Sequence, residues 1–489
     1  MSAYATLERR FKRLFDIEGA AAILNWDQAV MMPKGGNAPR GEQTATLAGL
    51  AHEILTAPET EDAIGQAGGE ALDDWQRANL REMDLRHRRA TALPGDLVES
   101  LARATTLCEM AWREARPRDD FQALRPRLEE VVRLVRAQAA ALGERLGLDP
   151  YDALLDLFQP GLKRPAVDAV LDLLAEALPP RVEAAMARQA PLVRAAGPFP
   201  VDRQRALVRD MMRRLGFDFD HGRLDESAHP FCGGVPGDVR ITTRYRDDDV
   251  TGALMGVLHE TGHALYEGNL PPDWRAQPVG AARGMTVHES QSLLVEMQAC
   301  RGRAFLAYLS PLLQARFGPD PAFEPAGLTA FYHRVERGLI RVDADEITYP
   351  LHVILRYRLE RALIDGGLAV RDLPGAWRDG MRGLLGVTPD TDREGCLQDI
   401  HWPTGAFGYF PSYTLGAVLA AQLFKAAKLA RPSIPDELVE GRFDGLMGWL
   451  KAEIHAKGSL LPMDDLIVAA TGKPLSADDF LAHLDERYA

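Results

Sequence analysis

The stretch "LMGVLHETGHALYEGNL" (254–270) places two histidines and a glutamate in an otherwise apolar run. A helix turns about 100° per residue, so His259 and His263 lie one turn apart on nearly the same face. That spacing lets two imidazoles bind one metal ion. It also places Glu260 beside the ion, where its carboxylate reaches a water ligand more easily than the metal itself. The run therefore predicts a buried helix that carries a zinc-binding HExxH arrangement.

The alternative interpretation is a pair of structural helix histidines around a glutamate. The apolar residues on both sides argue against it, because two unliganded histidines and a carboxylate are costly to bury. A catalytic zinc needs a third protein ligand and an open position for water. The extended pattern HExxHxxGxxH does not supply that ligand, since Tyr266 occupies the glycine position and Asn269 the third histidine position.

The third ligand is therefore expected to be a carboxylate on a following helix. Glu267 lies too close on the same helix to complete a tetrahedral face. The segment "TVHESQSLLVEMQA" (286–299) offers three side chains that spacing alone does not separate: His288, Glu289 and Glu296.

Most of the remaining chain has the spacing of amphipathic helices, with apolar residues repeated at three and four, as in 73–93, 126–147 and 166–189. One segment differs. "GDVRITTRYRDDD" (237–249) alternates with a period of two, which predicts a strand shortly before the histidine helix. No low-complexity linker or internal repeat divides the chain. The predicted fold is mainly α with a small β-sheet, in one compact unit.

The composition is that of a soluble globular protein, with 46% hydrophobic and 26% charged residues among 489. A net charge of −13 argues against a nucleic-acid partner or an anionic membrane, because phosphate binding needs a cationic surface. No window is long and apolar enough to span a bilayer, and the N-terminal residues have no signal-peptide pattern. The four cysteines form no CxxC pair, which favours a reducing compartment and predicts a cytoplasmic location.

Five motifs follow one another along the chain: DVRIT (238–242), HETGH (259–263), HESQS (288–292), IRVDAD (340–345) and GCLQDIHW (395–402). Together they resemble the motifs of the M32 metallocarboxypeptidases, the Taq carboxypeptidase family. "LNWDQAVMMPKGG" (24–36) and "GYFPSYTLG" (408–416) are also similar to family segments. The resemblance therefore covers nearly the whole chain.

The resemblance implies that Glu289 is the third metal ligand. It also implies one zinc ion per subunit, for which cobalt can substitute, a homodimer, and a helical zincin-type fold with a long, deep substrate groove. Residues 1–489 then form one peptidase domain, in which the mostly helical residues 1–200 flank the groove and residues 201–489 carry the zinc and substrate motifs. The implied activity is removal of C-terminal residues, with broad specificity, from peptides that have a free C-terminus.

A carboxypeptidase needs a cation where the terminal carboxylate arrives, and the planar fork of arginine makes two hydrogen bonds to such a group. Arg341, with Asp343 and Asp345 placed to hold it, is the first choice for this role. Arg240 is the second. The alternative for each is an ordinary ion pair with a neighbouring aspartate. In the similar family the DxRxT, IRxxAD and GxxQDxHW segments line the closed end of the groove, which implies substrate-binding roles for Asp238, Thr242, Gln398 and Asp399.

The predicted mechanism follows from these parts. Zinc lowers the pKa of its bound water, Glu260 takes the proton as general base, and the hydroxide attacks the last peptide carbonyl. Tyr409 and His401 are candidate donors to the oxyanion, with aromatic packing in the core as the alternative. His229 in "ESAHPF" (226–231) is expected near the groove and is assigned no role.

Two other functions remain open at this point. A zinc endo-oligopeptidase of the helical HExxH class would cut a peptide whose C-terminus is amidated, whereas a carboxypeptidase would not. A non-catalytic, metal-stabilised peptide-binding scaffold would normally use a fourth protein ligand and would need no glutamate base.

Overall fold

The computed structural model describes residues 2–227 and 230–488, so His229 lies outside the described residues. Most of the described chain is helical, as the apolar spacing predicts. The α-helices are α1 Ala3–Val30, α2 Asn37–Thr56, α3 Pro58–Ala67, α4 Asp74–Ala92, α5 Gly95–Arg118, α6 Phe121–Leu146, α7 Pro150–Phe158, α8 Arg164–Arg188, α9 Val201–Leu215, α10 Thr251–Gly268, α11 Met285–Leu293, α12 Arg303–Phe317, α13 Pro325–Tyr332, α14 Tyr349–Asp365, α15 Leu373–Leu385, α16 Pro411–Ala430, α17 Ile434–Val439, α18 Asp444–Glu453, α19 Met463–Thr471 and α20 Asp478–Tyr488.

Three short strands form one sheet: β1 Gly222–Glu226, β2 Phe231–Val235 and β3 Asp238–Thr243. β3 lies in the middle, parallel to β1 and antiparallel to β2. The small sheet is confirmed, but the strand predicted over 237–249 ends at Thr243. After it, Arg246 and Asp249 close a turn through an isolated antiparallel bridge. Asp249 Oδ1 then accepts hydrogen bonds from the backbone N–H groups of Thr251 (2.8 Å) and Gly252 (3.1 Å) and so caps α10.

The apolar core consists of a large cluster and a smaller one. The smaller cluster joins α1 to α4 and contains Tyr4, Leu7, Phe11, Leu14, Ala51, Ala63, Ala67 and Met83. The large cluster includes the apolar side chains of α10, which confirms that the histidine helix is buried. No described helix has an apolar stretch long enough to cross a membrane. The organisation of the chain as a single domain stays a prediction.

Two glycines allow α10 and α16 to pack closely on either side of α11. A Cβ atom on Gly262 of α10 would lie 2.5 Å from the backbone oxygen of Gln291. A Cβ atom on Gly416 of α16 would lie 2.8 Å from the Cβ and Cγ atoms of Glu289. Both approaches are shorter than any side chain tolerates, so these positions require glycine. The contacts hold α11, and with it Glu289, beside the histidine helix.

Candidate metal centre

Two imidazoles and one carboxylate converge beside α10. His259 and His263 project from successive turns, with ring centroids 5.0 Å apart. Glu289 approaches from α11, and its Oε2 atom lies 3.5 Å from Nε2 of His263. Among the described residues these three side chains form a cluster whose ligand atoms all lie within 4.8 Å of one another. Ligands about 2 Å from a tetrahedral ion lie about 3.3 Å apart, so small side-chain shifts suffice to bind one.

Hydrogen bonds behind the cluster orient both imidazoles. Nδ1 of His259 lies 2.9 Å from Oε2 of Glu296, and Nδ1 of His263 lies 3.1 Å from the backbone oxygen of His288. The Nε2 atom of each ring is left for the cluster, which is the usual arrangement of metal-binding histidines. The three side chains that spacing could not separate therefore have different places. Glu289 joins the cluster, whereas Glu296 and His288 lie behind the histidines.

The carboxylates give this site a negative field. Burial lowers the pKa of His259, but Glu296 and Glu289 together outweigh burial and raise this pKa to about 10. Burial lowers the pKa of His263 to about 4, which keeps that imidazole in the neutral form that binds metal. Burial raises the pKa of Glu260. A field that attracts a proton also attracts a divalent cation, and two imidazoles with one carboxylate suit zinc. The residues therefore fit a divalent metal ion.

Two members of the cluster, His259 and Glu289, line a cavity of about 410 Å³, here called the metal-site cavity. Glu260 lines it between His259 and Glu289, and Arg341 lines it as well. Apolar side chains of α11, the following turn and α16 form another part of the wall: Leu293, Met297, Ala417 and Ala420. One cavity thus offers a metal site and a guanidinium group to the same ligand. The extent of the predicted groove beyond this cavity stays a prediction.

Two of the sequence motifs meet at Arg341. Its Nε and Nη2 atoms donate to Oδ1 of Asp399 (3.1 and 2.7 Å), and Nη1 donates to the hydroxyl of Tyr349 (2.7 Å). Its backbone N–H donates to Oε1 of Gln398 (2.9 Å). The arginine is therefore held in one orientation by residues from two distant parts of the chain.

A second buried arginine uses the same carboxylate. Nε of Arg356, on α14, donates to Oδ2 of Asp399 (2.6 Å), and Nη2 donates to Oε1 of Gln398 (2.6 Å). Burial lowers the pKa of nearby His401 to about 4, so this imidazole is neutral at pH 7. Arg356 and Arg341 thus share one carboxylate, and the cluster carries an excess positive charge.

Arg240 has a different environment. Its Nε and Nη2 atoms form paired hydrogen bonds to Asp238 (2.9 and 2.7 Å), and its guanidinium carbon lies 4.3 Å from the ring centroid of Trp26. Thr242 is fully buried, and its Oγ1 accepts from the backbone N–H of Phe231 (3.0 Å). In the described part of the chain, Asp238, Arg240 and Thr242 are not among the residues that line the metal-site cavity. Their contacts instead connect α1 to the sheet.

An aromatic group lies near both Glu289 of the metal cluster and Arg341. Nε2 of His401 lies 3.1 Å from the hydroxyl of Tyr413, and the rings of Tyr409 and Tyr413 are 5.1 Å apart. Burial and the charge of Glu289 raise the pKa of Tyr409, because its hydroxyl is near that carboxylate. Sequence reasoning missed Tyr413 and Tyr349, which both line the cavity. Only Tyr413 had a signal, since it follows Tyr409 by four residues within a family-like segment.

Comparison with known proteins gives matches along the whole chain. Residues 6–488 match the model of the carboxypeptidase Taq (M32) metallopeptidase family. Thermostable carboxypeptidase 1 of Thermus thermophilus is 37% identical over 504 aligned residues, which cover 100% of this chain and 98% of the relative. Carboxypeptidase 1 of Bacillus subtilis is 34% identical, with 99% of this chain and 98% of the relative covered.

The fold is similar to solved structures over the same length. Metallocarboxypeptidase 1 of Trypanosoma cruzi superimposes with a TM-score of 0.97 at 40% identity, covering 99% of both chains. The M32 carboxypeptidase of Deinococcus radiodurans gives a TM-score of 0.95 at 35% identity, covering 99% of this chain and 98% of the other. These matches confirm the helical zincin-type fold and the requirement for a metal. The chain belongs to the carboxypeptidase Taq (M32) metallopeptidase family and is a peptidase.

Proposed function

We propose that the chain is a zinc carboxypeptidase that hydrolyses the last peptide bond of peptides with a free C-terminus. The observation that carries this proposal is the place of Arg341. Arg341 lines the same cavity as the metal ligands His259 and Glu289, and it belongs to a group with an excess positive charge. An endopeptidase has no need of a buried cation beside the metal, whereas a carboxypeptidase needs one for the terminal carboxylate.

The metal ligands in this proposal are His259, His263 and Glu289, which hold one zinc ion; cobalt can replace it. The ion supplies Lewis-acid activation of water and of the peptide carbonyl. Glu296 orients His259 through its Nδ1 atom, and the backbone of His288 orients His263. These bonds keep the ligand nitrogens aimed at one point before the ion binds.

Glu260 is the general base in this proposal. It lines the cavity next to the ligands without belonging to the cluster, so its carboxylate is available to a water molecule in the cavity. Burial raises its pKa, which makes it a stronger base than an exposed glutamate. Glu260 takes a proton from the attacking water and passes it to the nitrogen of the leaving residue.

Arg341 binds the terminal carboxylate through the two N–H groups that its other contacts leave over. A guanidinium has five N–H groups. One each on Nε and Nη2 bind Asp399, and one on Nη1 binds Tyr349. The remaining two lie on Nη1 and Nη2, the pair that matches the two oxygens of a carboxylate. Gln398 and Asp399 act on the substrate only by holding this arginine.

The oxygen of the reacting carbonyl needs a donor in addition to the metal. Tyr409 and Tyr413 supply a hydroxyl near Glu289, and His401 orients Tyr413 through the contact between its Nε2 and the Tyr413 hydroxyl. Arg240, Asp238 and Thr242 have a structural role in this proposal, because they lie away from the cavity wall.

A peptide digest tests the proposed function. The protein, loaded with zinc, is incubated with one peptide in two forms, with a free and with an amidated C-terminus, and the products are identified by mass spectrometry. We expect stepwise loss of C-terminal residues from the free form, no cleavage of the amidated form, and no reaction after chelation. Internal cleavage of the amidated peptide would instead favour the endo-oligopeptidase. Zinc-dependent peptide binding without hydrolysis would favour the scaffold.

The resemblance implies further properties that the same preparation can test. A digest of peptides that differ only in the last residue measures the predicted broad specificity. Light scattering after size-exclusion chromatography measures the predicted homodimer. Metal analysis of protein purified without added metal identifies the ion that the cell supplies. Cytoplasmic location stays a prediction for cell fractionation.

A further inference from the structure

A hydrogen-bonded cluster closes one wall of the metal-site cavity. Glu346 is buried in this wall, and its two oxygens accept from four donors. The donors are Nε2 of His483 (2.9 Å), Nε2 of Gln298 (3.3 Å), Nη1 of Arg487 (2.9 Å) and the hydroxyl of Tyr488 (3.3 Å). Three of these residues belong to α20, the last helix. A buried carboxylate with so many donors is held in one position, because loss of a charged donor leaves it poorly compensated.

Glu346 is joined to Arg341 by a short stretch of backbone that is anchored at both ends. Arg341–Asp343 form a single 3₁₀ turn. Asp345 then accepts hydrogen bonds from the backbone N–H groups of Ile347 and Thr348, both at 3.0 Å, just before α14. Because so few residues separate them, we expect a displacement of Glu346 to shift the backbone of Arg341 and to strain the hydrogen bonds of its guanidinium to Asp399 and Tyr349.

Gln298 is joined to the metal cluster in a similar way. It lies in a π-helical turn, Leu294–Cys300, that continues α11 beyond Glu289. Glu296 in the same turn contacts His259. Turns of this kind are rare and are frequently found at functional sites. Arg487 also reaches the backbone oxygen of Gln298 (3.4 Å), so it contacts both partners of the bond between Gln298 and Glu346.

We propose that the contact between Gln298 and Glu346, held by Arg487 of α20, sets the distance between the metal cluster and the Arg341 guanidinium. The inference rests on the proposed function, in which Arg341 binds the terminal carboxylate while the last peptide carbonyl reacts at the metal. In an α-amino acid a single carbon separates the leaving nitrogen from the carboxylate. The contact therefore selects C-terminal residues in which one carbon separates the leaving nitrogen from the carboxylate. The positioning residues in this inference are Gln298, Glu346 and Arg487.

A C-terminal β-alanine tests this spacing directly. Its extra methylene moves the carboxylate away from the leaving nitrogen by about one carbon–carbon bond, about 1.5 Å. A misplacement of about 1 Å can cost about 100-fold in rate, so an enzyme with a defined spacing strongly prefers alanine. The alanine preference is the ratio of kcat/KM for two peptides that differ only in this last residue. Because both are cut by the same folded molecules, the ratio does not depend on the fraction of protein that is folded.

Two different substitutions each weaken the contact between Gln298 and Glu346. Arg487→Met removes the cation that holds both partners, and Gln298→Met removes the side-chain amide. We expect each to lower the alanine preference at least about fivefold, because the position of Arg341 relative to the metal becomes less defined. Arg487→Lys retains the charge and should restore most of the preference.

A binding measurement tests the same spacing between the metal and Arg341 without catalysis. Succinate and glutarate are dicarboxylates that differ by one methylene, and each can bind the metal with one carboxylate and Arg341 with the other. Calorimetry on the zinc-loaded protein gives the ratio of their dissociation constants. We expect this ratio to move toward one in Arg487→Met and Gln298→Met, and to return toward that of the unaltered protein in Arg487→Lys.

Asp479→Asn is the matched control. Asp479 is buried on the same helix, α20, and binds Lys425 and Lys473 at 2.7 Å, so its loss weakens the attachment of the helix without removing a partner of Glu346. We expect the control to lower stability and to leave the alanine preference unchanged.

The outcomes separate the inference from the function on which it rests. An unchanged alanine preference in both Arg487→Met and Gln298→Met overturns the inference, even where kcat/KM falls for both peptides. A loss of preference in Asp479→Asn as large as in Arg487→Met overturns it too, because general loosening of α20 would then explain the effect. Cleavage of an amidated peptide by the unaltered protein contradicts the proposed function itself.

Discussion

The residues around the metal ligands and the residues around Arg341, here called the metal end and the arginine end of the metal-site cavity, have net charges of opposite sign. At the metal end the carboxylates of Glu260, Glu289 and Glu296 line the cavity, and the guanidinium of Arg301 is bound to one of them. Metal binding requires neutral imidazoles, so His259 releases its proton when an ion binds. With the carboxylates ionised, the excess is then two negative charges, equal in magnitude to the charge of one divalent ion. This end of the cavity is completed by a metal.

At the arginine end the guanidinium groups of Arg341 and Arg356 share the carboxylate of Asp399. The excess is one positive charge, equal in magnitude and opposite in sign to the charge of one terminal carboxylate. Buried charges normally occur in balanced sets, because an uncompensated charge is expensive to remove from water. A net charge on the side chains around a cavity therefore indicates the charge of the ligand that the cavity binds. The two ends indicate a divalent cation and a monovalent anion, and the substitutions that follow change one end at a time.

The largest effect is expected at the metal end, from Glu260→Gln. The amide keeps the shape of the side chain but cannot take a proton, so kcat should fall by about 10³-fold or more. Metal content should stay near one ion per chain, because Glu260 lies outside the ligand cluster. Steady-state kinetics and metal analysis of the same preparation measure both quantities. Near-normal turnover in this variant would refute the assignment of the base.

Arg341→Met should have the next largest effect. Loss of two charge-assisted hydrogen bonds to the terminal carboxylate should lower kcat/KM by about 100-fold, mostly through a higher KM. Metal content is the control here, since the change lies at the other end of the cavity. Unchanged kcat/KM on a peptide with a free C-terminus would mean that another group binds the carboxylate.

Arg356→Met tests the charge imbalance itself. Arg356 is fully buried and is not among the described residues that line the cavity, so it does not touch the substrate. Its loss leaves Arg341 and Asp399 as a balanced pair, and KM should rise about tenfold while kcat changes little. Arg356→Lys restores the charge and should recover part of the affinity. An unchanged KM in Arg356→Met would show that the excess charge does not contribute to binding.

The arrangement of the metal-site residues on α10 was predictable from the sequence, because helix geometry fixes the relative positions of residues that are close in the chain. The position of His259, Glu260 and His263 on one buried helical face follows from the number of residues per turn. The strand of the DVRIT motif was predicted by its period of two. Its predicted end was wrong because the last residues of the segment form a turn, closed between Arg246 and Asp249, and Asp249 caps the next helix. Hydrogen bonds of single side chains do not alter the spacing of apolar residues, so the sequence did not predict them.

Contacts between distant segments were not predictable in that way. Asp343 and Asp345 were expected to hold Arg341, yet Asp399 does so, and Asp345 instead stabilises the turn just before α14. The place of Glu289 came from a resemblance, and its physical basis lies in the close packing of α10 and α16 on α11. That packing depends on two glycines whose role appears only when three helices are assembled. The spacing of residues along the chain does not predict the distances between packed helices.

The smallest effect is expected from Arg240→Met, which removes an arginine with a balanced partner. Arg240 and Asp238 form a one-to-one pair that is stacked on Trp26, away from the cavity. The pair and the stacking contribute about 1 kcal/mol to stability, so the thermal midpoint should fall slightly while kcat/KM stays within about twofold of that of the unaltered protein. Thermal unfolding and peptide cleavage, measured beside Arg341→Met, make the comparison direct. If Arg240→Met lost activity as severely as Arg341→Met, with metal and fold retained, then charge imbalance would not identify the carboxylate site. The DVRIT segment would then have to reach the substrate despite its distance from the cavity wall.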